Sequence, residues 1–190
     1  MRTLLIKAKS NEQILGVVKK ALKILPKKAG LITTTQYEHR MEDVKNFLQK
    51  NKKSAVIGGA VLGCDISEAK KIEKKVDAFL YIGTGEFHPL GVALKTKKQV
   101  ITANPVSSQV SIVKKEDVEK IKKRRKGAYI KFLSARNIGI LVSIKPGQYK
   151  LKKALQLKHK LKDKNCYLFI ADEIDPVQLE NFPFIECWIN

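Results

Sequence analysis

The sequence has few cysteines and no long apolar run. Its 190 residues contain three cysteines, Cys64, Cys166 and Cys187, which are odd in number, widely spaced and never in a C-x-x-C pair. This argues against a disulfide framework and against a self-contained zinc site. No segment approaches the roughly 18 uncharged apolar residues that span a bilayer, and the start, MRTLLIKAKS, lacks a secretory cleavage pattern. We therefore expect a cytoplasmic protein with no membrane partner.

Acidic residues are also scarce. There are 18 Asp and Glu against 38 Lys and Arg, which gives a formal charge of +20. Such a charge favours an anionic partner, either nucleic acid or an acidic protein, through long-range steering. Most of the excess is Lys scattered through predicted helices, which is typical of solvated helix faces. The stretch 122–126, KKRRK, has no aromatic stacking repeat, so nucleic-acid binding is the less favoured interpretation.

Short apolar segments alternate with helical patterns along the chain, which predicts an α/β fold with parallel sheets and flanking helices. The pattern forms two tandem units of similar architecture, with a first domain at 1–113 and a second at 114–190. The second domain contains a charged linker helix and an incomplete sheet. Strands are predicted at 4–7, 29–33, 54–57, 78–82 and 99–102 in the first domain, and at 138–142, 167–170 and 185–189 in the second.

Cys64 lies in the Gly-rich segment GGAVLGCDIS, just before a helix predicted to start near Ser67. At a helix N-terminus the dipole and free N–H groups lower a thiol pKa, and the resulting thiolate could bind an iron–sulfur cluster. A lone cysteine is, however, more often a small buried apolar residue. Cys166 and Cys187 begin or occupy apolar strands and are predicted to be packing residues.

Two further loops follow predicted strands, where parallel sheets bind ligands. In the first loop, the glycines Gly83 and Gly85 allow an anion-binding backbone, and Pro89 positions His88 as a carboxylate ligand or an acid–base group. The alternative is a plain strand-to-helix turn.

The second loop offers polar groups to a ligand carboxylate or nucleobase, and the alternative is again an ordinary turn. Its candidate residues are Ser143, Lys145, Gly147 and Gln148. The Thr33–Thr35 stretch is a third strand end, where helix capping is favoured over a polar site.

Four ordered segments together resemble one family: GGAVLGCDIS, VDAFLYIGTGEFHPLGVAL, ILVSIKPGQYKLKKAL and ADEIDPVQLENFP. They are similar to parts of the second and third domains of the archaeal 2-(3-amino-3-carboxypropyl)histidine synthases, the iron–sulfur enzymes that begin diphthamide synthesis. The resemblance extends from Leu4 to Asn190.

The resemblance implies three α/β domains that each lend one Cys to a [4Fe–4S] cluster. That cluster cleaves S-adenosyl-L-methionine, whose 3-amino-3-carboxypropyl group is transferred to a histidine of elongation factor 2. Cys64 matches the ligand of the second domain. Gly83, Gly85, His88, Pro89, Ser143, Lys145, Gly147 and Gln148 are the candidates for S-adenosylmethionine binding. An electron donor is implied as well.

Two departures from the family pattern bear on activity. The first domain and its Cys are absent before Met1, and the chain ends at CWIN, before the segment that carries the third ligand. One thiolate cannot retain a cluster that needs three protein sulfurs. We therefore expect a chain that is inactive alone and is completed by other chains, with a non-catalytic scaffold relative or a basic nucleic-acid-binding module as alternatives.

Overall fold

The chain folds into two compact α/β units. The structure is a computed structural model that describes residues 6, 8–62, 65–145 and 147–190. The N-terminal unit runs to Lys122, and the C-terminal unit runs from Lys123 to Asn190. In the described part of the chain, no helix is long and apolar enough to cross a membrane. The predicted α/β class is confirmed.

The N-terminal unit alternates strands with helices. The strand predicted at 4–7 falls on residues that, apart from Ile6, lie outside those described. The elements in chain order are α1 (Ile14–Ala21), β1 (Lys28–Thr33), a 3-10 helix (Thr35–Arg40), α2 (Met41–Lys50), β2 (Ser54–Ala60), α3 (Ser67–Ile72), a 3-10 turn (Glu73–Lys75), β3 (Ala78–Ile82), α4 (Phe87–Thr96), β4 (Gln99–Asn104), β5 (Gln109–Ile112) and α5 (Lys115–Ser134), which continues into the C-terminal unit.

The sheet of this unit has the strand order β2-β1-β3-β4-β5. The first four strands are parallel to one another, as predicted, but β5 is antiparallel to β4. β5 was not predicted from the sequence, because this strand is short and half polar. A tight turn creates it: the Asn104 side chain accepts hydrogen bonds from the N–H groups of Val106 and Ser107, and Ser108 adopts a φ of 54°.

Helices cover both faces of the parallel strands, so successive strand residues alternate between two cores. On one face, Leu31 and Leu80 pack with α1 and α2. On the other face, Ile32, Phe79 and Tyr81 pack with α3 and α4. The five residues of β1 from Ala29 to Thr33 and all five residues of β3 are buried. This burial explains why both strands appear in the sequence as nearly uninterrupted apolar runs.

The C-terminal unit has a three-stranded parallel sheet of order β7-β6-β8. One face packs against α6 through a core that includes Ile138, Ile140 and Ala154. The elements after α5 are β6 (Asn137–Ser143), α6 (Leu151–Lys160), β7 (Asn165–Ala171), a 3-10 helix (Pro176–Asn181) and β8 (Cys187–Ile189).

The opposite face of this sheet carries an aromatic layer. The Phe169 ring contacts Phe182 and Trp188 with centroid separations of 4.7 and 4.8 Å, in edge-to-face arrangements. Trp188 lies directly over Gly139, where a Cβ atom would overlap the ring carbons Cε3 and Cζ3. Gly139 is therefore required by the close approach of the indole to the backbone of β6.

We expect Gly139→Ala to destabilise the C-terminal unit by about 1–3 kcal/mol, because the added methyl group must displace Trp188. The matched control is Gly127→Ala in α5, where a Cβ would meet nothing within 4 Å. That change should instead stabilise the helix, by about 0.5–1 kcal/mol. Urea unfolding followed by fluorescence of the single tryptophan measures both. Equal effects of the two substitutions would contradict this packing argument.

Two hydrogen bonds connect the start of β6 to the residue before β8. The Glu186 carboxylate accepts the backbone N–H groups of Asn137 and Arg136, both at 2.7 Å. These bonds hold the pKa of Glu186 below its ordinary value. Because the folded-state pKa is lowered, the stabilisation is present above the unfolded-state pKa and is lost as the pH falls through the folded-state pKa.

We therefore expect Glu186→Gln to lower the urea midpoint at pH 7 and to have a shrinking effect as the pH falls below about 4.3, the ordinary Glu pKa. Exposed Glu180 provides the control, since Glu180→Gln should change the midpoint little at any pH. A Glu186→Gln effect that is constant from pH 7 to pH 3 would show that the charge of the carboxylate is unimportant.

Candidate functional site

The strand order of the N-terminal sheet places a crevice between the ends of β1 and β3. The chain leaves β1 towards β2 on one side and then crosses to β3 on the other side. Such a reversal is the topological switch point of an open α/β sheet, where ligands bind outside the carboxyl ends of the strands. The residues that follow β1, β2 and β3 are therefore the candidates for binding.

Tyr81 holds the loop after β3. Its hydroxyl donates a hydrogen bond to the carbonyl oxygen of Thr84 at 3.1 Å. Burial, and then the neighbouring Tyr37, raise the pKa of Tyr81 to about 12, so the hydroxyl remains a donor at neutral pH. A Cβ on Gly83 would lie 2.7 Å from this hydroxyl oxygen, and Gly85 has a φ of +73°. The loop thus needs both glycines, one for space and one for backbone conformation.

His88 and Pro89 lie in the first turn of α4, directly after this loop. The His88 ring stacks on Tyr81 at a centroid distance of 6.2 Å and meets Phe87 edge-on at 5.5 Å. Pro89 is buried and His88 is half-buried. The structure therefore brings the four predicted residues of this loop together at the carboxyl end of β3.

The end of β1 contains two threonines with different environments. The buried Thr33 hydroxyl donates to the carbonyl oxygen of Ile82 at 2.7 Å, which ties β1 to β3. Thr34 precedes the 3-10 helix at Thr35–Arg40, yet its side chain makes no capping hydrogen bond. The Thr34 side-chain oxygen is shielded from solvent and has no hydrogen-bond partner among the described residues. Capping, the favoured interpretation of this stretch, is thus wrong for Thr34.

The third strand end belongs to β2. This strand contains a bulge opposite Leu31 and Ile32, and Gly59 adopts a φ of +112° there. Beyond it, the Val61 N–H donates to the Thr33 carbonyl at 2.8 Å, so the segment after β2 starts against the end of β1.

The backbones of Leu62 and Asp65 exchange two hydrogen bonds. The Asp65 carboxylate accepts the N–H of Ser67 at 2.9 Å, which lowers its pKa. Cys64, the predicted metal ligand, lies outside the described residues. Its position between Leu62 and Asp65 still puts it in the segment that follows β2.

The second predicted loop follows β6, the central strand of the C-terminal sheet and hence the switch point of that sheet. The Ser143 hydroxyl accepts the N–H of Lys145 at 3.2 Å, and the N–H of Gln148 donates to the Lys145 carbonyl at 3.0 Å. Gly147 has a φ of +79°. The Lys145 ammonium lies 3.7 Å from the Glu173 carboxylate, a contact that the sequence analysis missed.

Metal-binding side chains are dispersed in the described part of the chain. No group of three or more His, Cys, Asp or Glu residues could hold a metal ion there. Cys187 is buried in the core of the C-terminal unit and Cys166 packs against that core. Burial raises the pKa of the Cys166 thiol. Both are packing residues in this structure, as the apolar strands around them predict.

Comparison with known proteins supports the same family as the sequence motifs. The model of the family described as "Putative diphthamide synthesis protein" matches residues 1–190. The chain belongs to this family. The 2-(3-amino-3-carboxypropyl)histidine synthase of Pyrococcus horikoshii is 33% identical over 174 residues, which cover 86% of this chain and 49% of that protein. The synthase of Methanocaldococcus jannaschii is 29% identical over 167 residues, covering 86% and 44%.

Solved structures show the same fold. The crystal structure of Dph2 from Pyrococcus horikoshii superposes with a TM-score of 0.82 at 29% identity, covering 95% of this chain and 55% of that one. The structure of the same protein with a 4Fe-4S cluster gives a TM-score of 0.80, covering 95% and 56%. This chain thus spans about half the length of the relatives that it matches.

Removing the Tyr81 hydroxyl tests the support of the β3 loop. We expect Tyr81→Phe to lower the free energy of unfolding by about 1 kcal/mol, because the Thr84 carbonyl loses its donor. Urea unfolding followed by circular dichroism measures the change. Tyr129→Phe, at a residue that is 60% exposed, is the control and should be neutral. If both variants unfold like the parent chain, the hydrogen bond does not stabilise the loop.

Proposed function

We propose that this chain is part of the enzyme that transfers the 3-amino-3-carboxypropyl group of S-adenosyl-L-methionine to a histidine of elongation factor 2, the first step of diphthamide biosynthesis. The observation that carries the proposal is the family match over residues 1–190. The geometry supports it, because the loop after β3 and the segment bearing Cys64 follow strands on either side of β1. The cytoplasm is the proposed location.

The residues of this chain fit one ligand position of an iron–sulfur site. Cys64 would supply one thiolate from the segment after β2, and the hydrogen bond from the Val61 N–H to the Thr33 carbonyl holds the start of that segment beside β1. When bound and reduced, a [4Fe–4S] cluster supplies the electron that breaks the carbon–sulfur bond of S-adenosylmethionine. Cys166 and Cys187 pack in or against the C-terminal core, so the other thiolates must come from complementary chains or segments. An electron donor is a further proposed partner.

The two switch-point loops are the proposed contacts for S-adenosylmethionine. In the N-terminal unit, Gly83 and Gly85 shape the loop, while His88 and Pro89 begin the helix that follows. In the C-terminal unit, Ser143, Gly147 and Gln148 flank Lys145. The Lys145 and Glu173 side chains are 43% and 83% exposed, so their ion pair is weak and a ligand carboxylate can compete for the ammonium.

Anaerobic reconstitution with iron and sulfide tests the proposal. The chain is mixed with polypeptides that carry the remaining cysteine segments, and the absorbance and EPR spectra of the cluster are recorded. We expect a [4Fe–4S] signal in the mixture, lost with Cys64→Ala but kept with the matched control Cys166→Ala. Supplied with S-adenosyl-L-methionine and a reductant, the reconstituted mixture should then transfer the aminocarboxypropyl group to elongation factor 2.

A cluster that survives Cys64→Ala would remove Cys64 from the ligand set. If the parent mixture holds no cluster, or holds one without modifying elongation factor 2, the proposed transferase function is wrong.

A further inference from the structure

A cavity of about 550 Å³ lies in the N-terminal unit, between the end of α4 and the first two turns of α5. The start of β4 and the end of β5 also border it. Because β4 begins here and runs parallel to β3, the cavity lies at the end of the sheet opposite to the candidate site. Its volume is typical of a ligand-binding site.

The floor of this cavity is aliphatic. Val113 and Val118 pack against the core that α3 and α4 form with the sheet, and Ala93 of α4 is buried in that core. Ile112 is 39% exposed and offers an apolar surface to a ligand. The Val113 N–H donates to the Val100 carbonyl at 2.9 Å, which holds the end of β5 against β4. The floor is therefore a fixed part of the fold.

Five lysines and one glutamate surround the floor. The lysines come from the connection between α4 and β4 and from the start of α5, and they are Lys97, Lys98, Lys114, Lys115 and Lys122. Glu119 pairs with Lys122 at 2.6 Å, and the Lys98 ammonium donates to the Val76 carbonyl at 3.0 Å. The other three lysines have no ion-pair or hydrogen-bond partner for their ammonium groups within the described part of the chain. They are available to an anionic ligand.

An aliphatic floor inside a cationic rim matches an acidic peptide that carries one apolar side chain. Charges from separate elements suit carboxylates spaced along a chain, and an apolar anchor in a pocket is a common centre of a protein interface. Among the described residues, no aromatic side chain lines the cavity, so nucleobases would find no stacking surface there.

We propose that this cavity docks an acidic segment of a partner protein. The apolar side chain of the segment packs on Ile112, and its carboxylates pair with Lys97, Lys114 and Lys115. The formal charge of +20 favours an anionic partner without locating it, and the cavity supplies the location. The inference does not depend on the proposed function.

Lys97 allows binding to be separated from stability. It follows α4 in the left-handed region, with a φ of 56°, where glycine is the favoured residue. Lys52, which follows α2, has a similar φ of 59° but does not line the cavity. Lys97→Gly and Lys52→Gly should each raise the melting temperature by about 2–4 °C, because glycine adopts this conformation without strain. Each change also removes one positive charge, so Lys52→Gly is a matched control.

Fluorescence anisotropy measures binding to the full chain. The probe is a short labelled peptide with glutamates on both sides of a central leucine, and a second peptide has serine in place of that leucine. We expect the leucine peptide to bind about two- to fivefold more weakly to Lys97→Gly and equally well to Lys52→Gly. Ile112→Thr, which keeps a β-branched side chain in β5, should weaken the leucine peptide about fivefold and leave the serine peptide unaffected.

Four outcomes would overturn the inference. The leucine peptide does not bind at low salt, or it binds no better than the serine peptide. Lys97→Gly and Lys52→Gly weaken binding equally, which would mean that the peptide responds only to the net charge of the chain. A single-stranded RNA binds more tightly than the leucine peptide and loses affinity in Lys97→Gly alone, which would assign the cavity to nucleic acid. None of these measurements needs an iron–sulfur cluster, so the proposed function can fail while this inference stands.

Discussion

The hydrogen bond from the Thr33 hydroxyl to the Ile82 carbonyl closes the carboxyl ends of β1 and β3, and the candidate site depends on it. It is buried, so both groups would be costly to leave unpaired. It fixes the point at which the two strands separate into their loops. The connections after β1 and after β3 leave towards opposite sides of the sheet. The loops that follow these two strands therefore border one crevice. The same residue also accepts the N–H of Val61, which brings the end of β2 to that crevice.

The apolar runs made much of the fold predictable. The strand predicted at 78–82 coincides with β3 because all five of its residues are buried, leaving no ambiguity in the hydrophobic pattern. Capping was harder to predict. Ser10 is of a residue type that often caps helices, yet its hydroxyl accepts the N–H of Glu12 in a local turn and α1 begins only at Ile14. Short polar side chains form both helix caps and local turns, and sequence spacing does not distinguish the two.

The sequence predicted which loops form the candidate site, but it did not predict the side-chain contacts within them. The glycines of GTGEFHP predicted a loop with positive φ angles. The hydrogen bond from the Tyr81 hydroxyl to this loop was not predictable, because it depends on which face of β3 the ring occupies. The Lys145–Glu173 ion pair joins residues that follow different strands, so only the register of β6 and β7 reveals it. The Thr34 hydroxyl was misassigned because the residue lies where a cap would lie, and only the geometry shows that it caps nothing.

The two units place comparable loops at comparable positions of their own sheets. Each sheet has a switch point, after β1 in the N-terminal unit and after the central strand β6 in the C-terminal unit, and each carries a glycine with positive φ in a nearby loop. In both units the position of the loops follows from the strand order alone, because the connections on either side of a switch point leave the sheet in opposite directions and open a crevice between them.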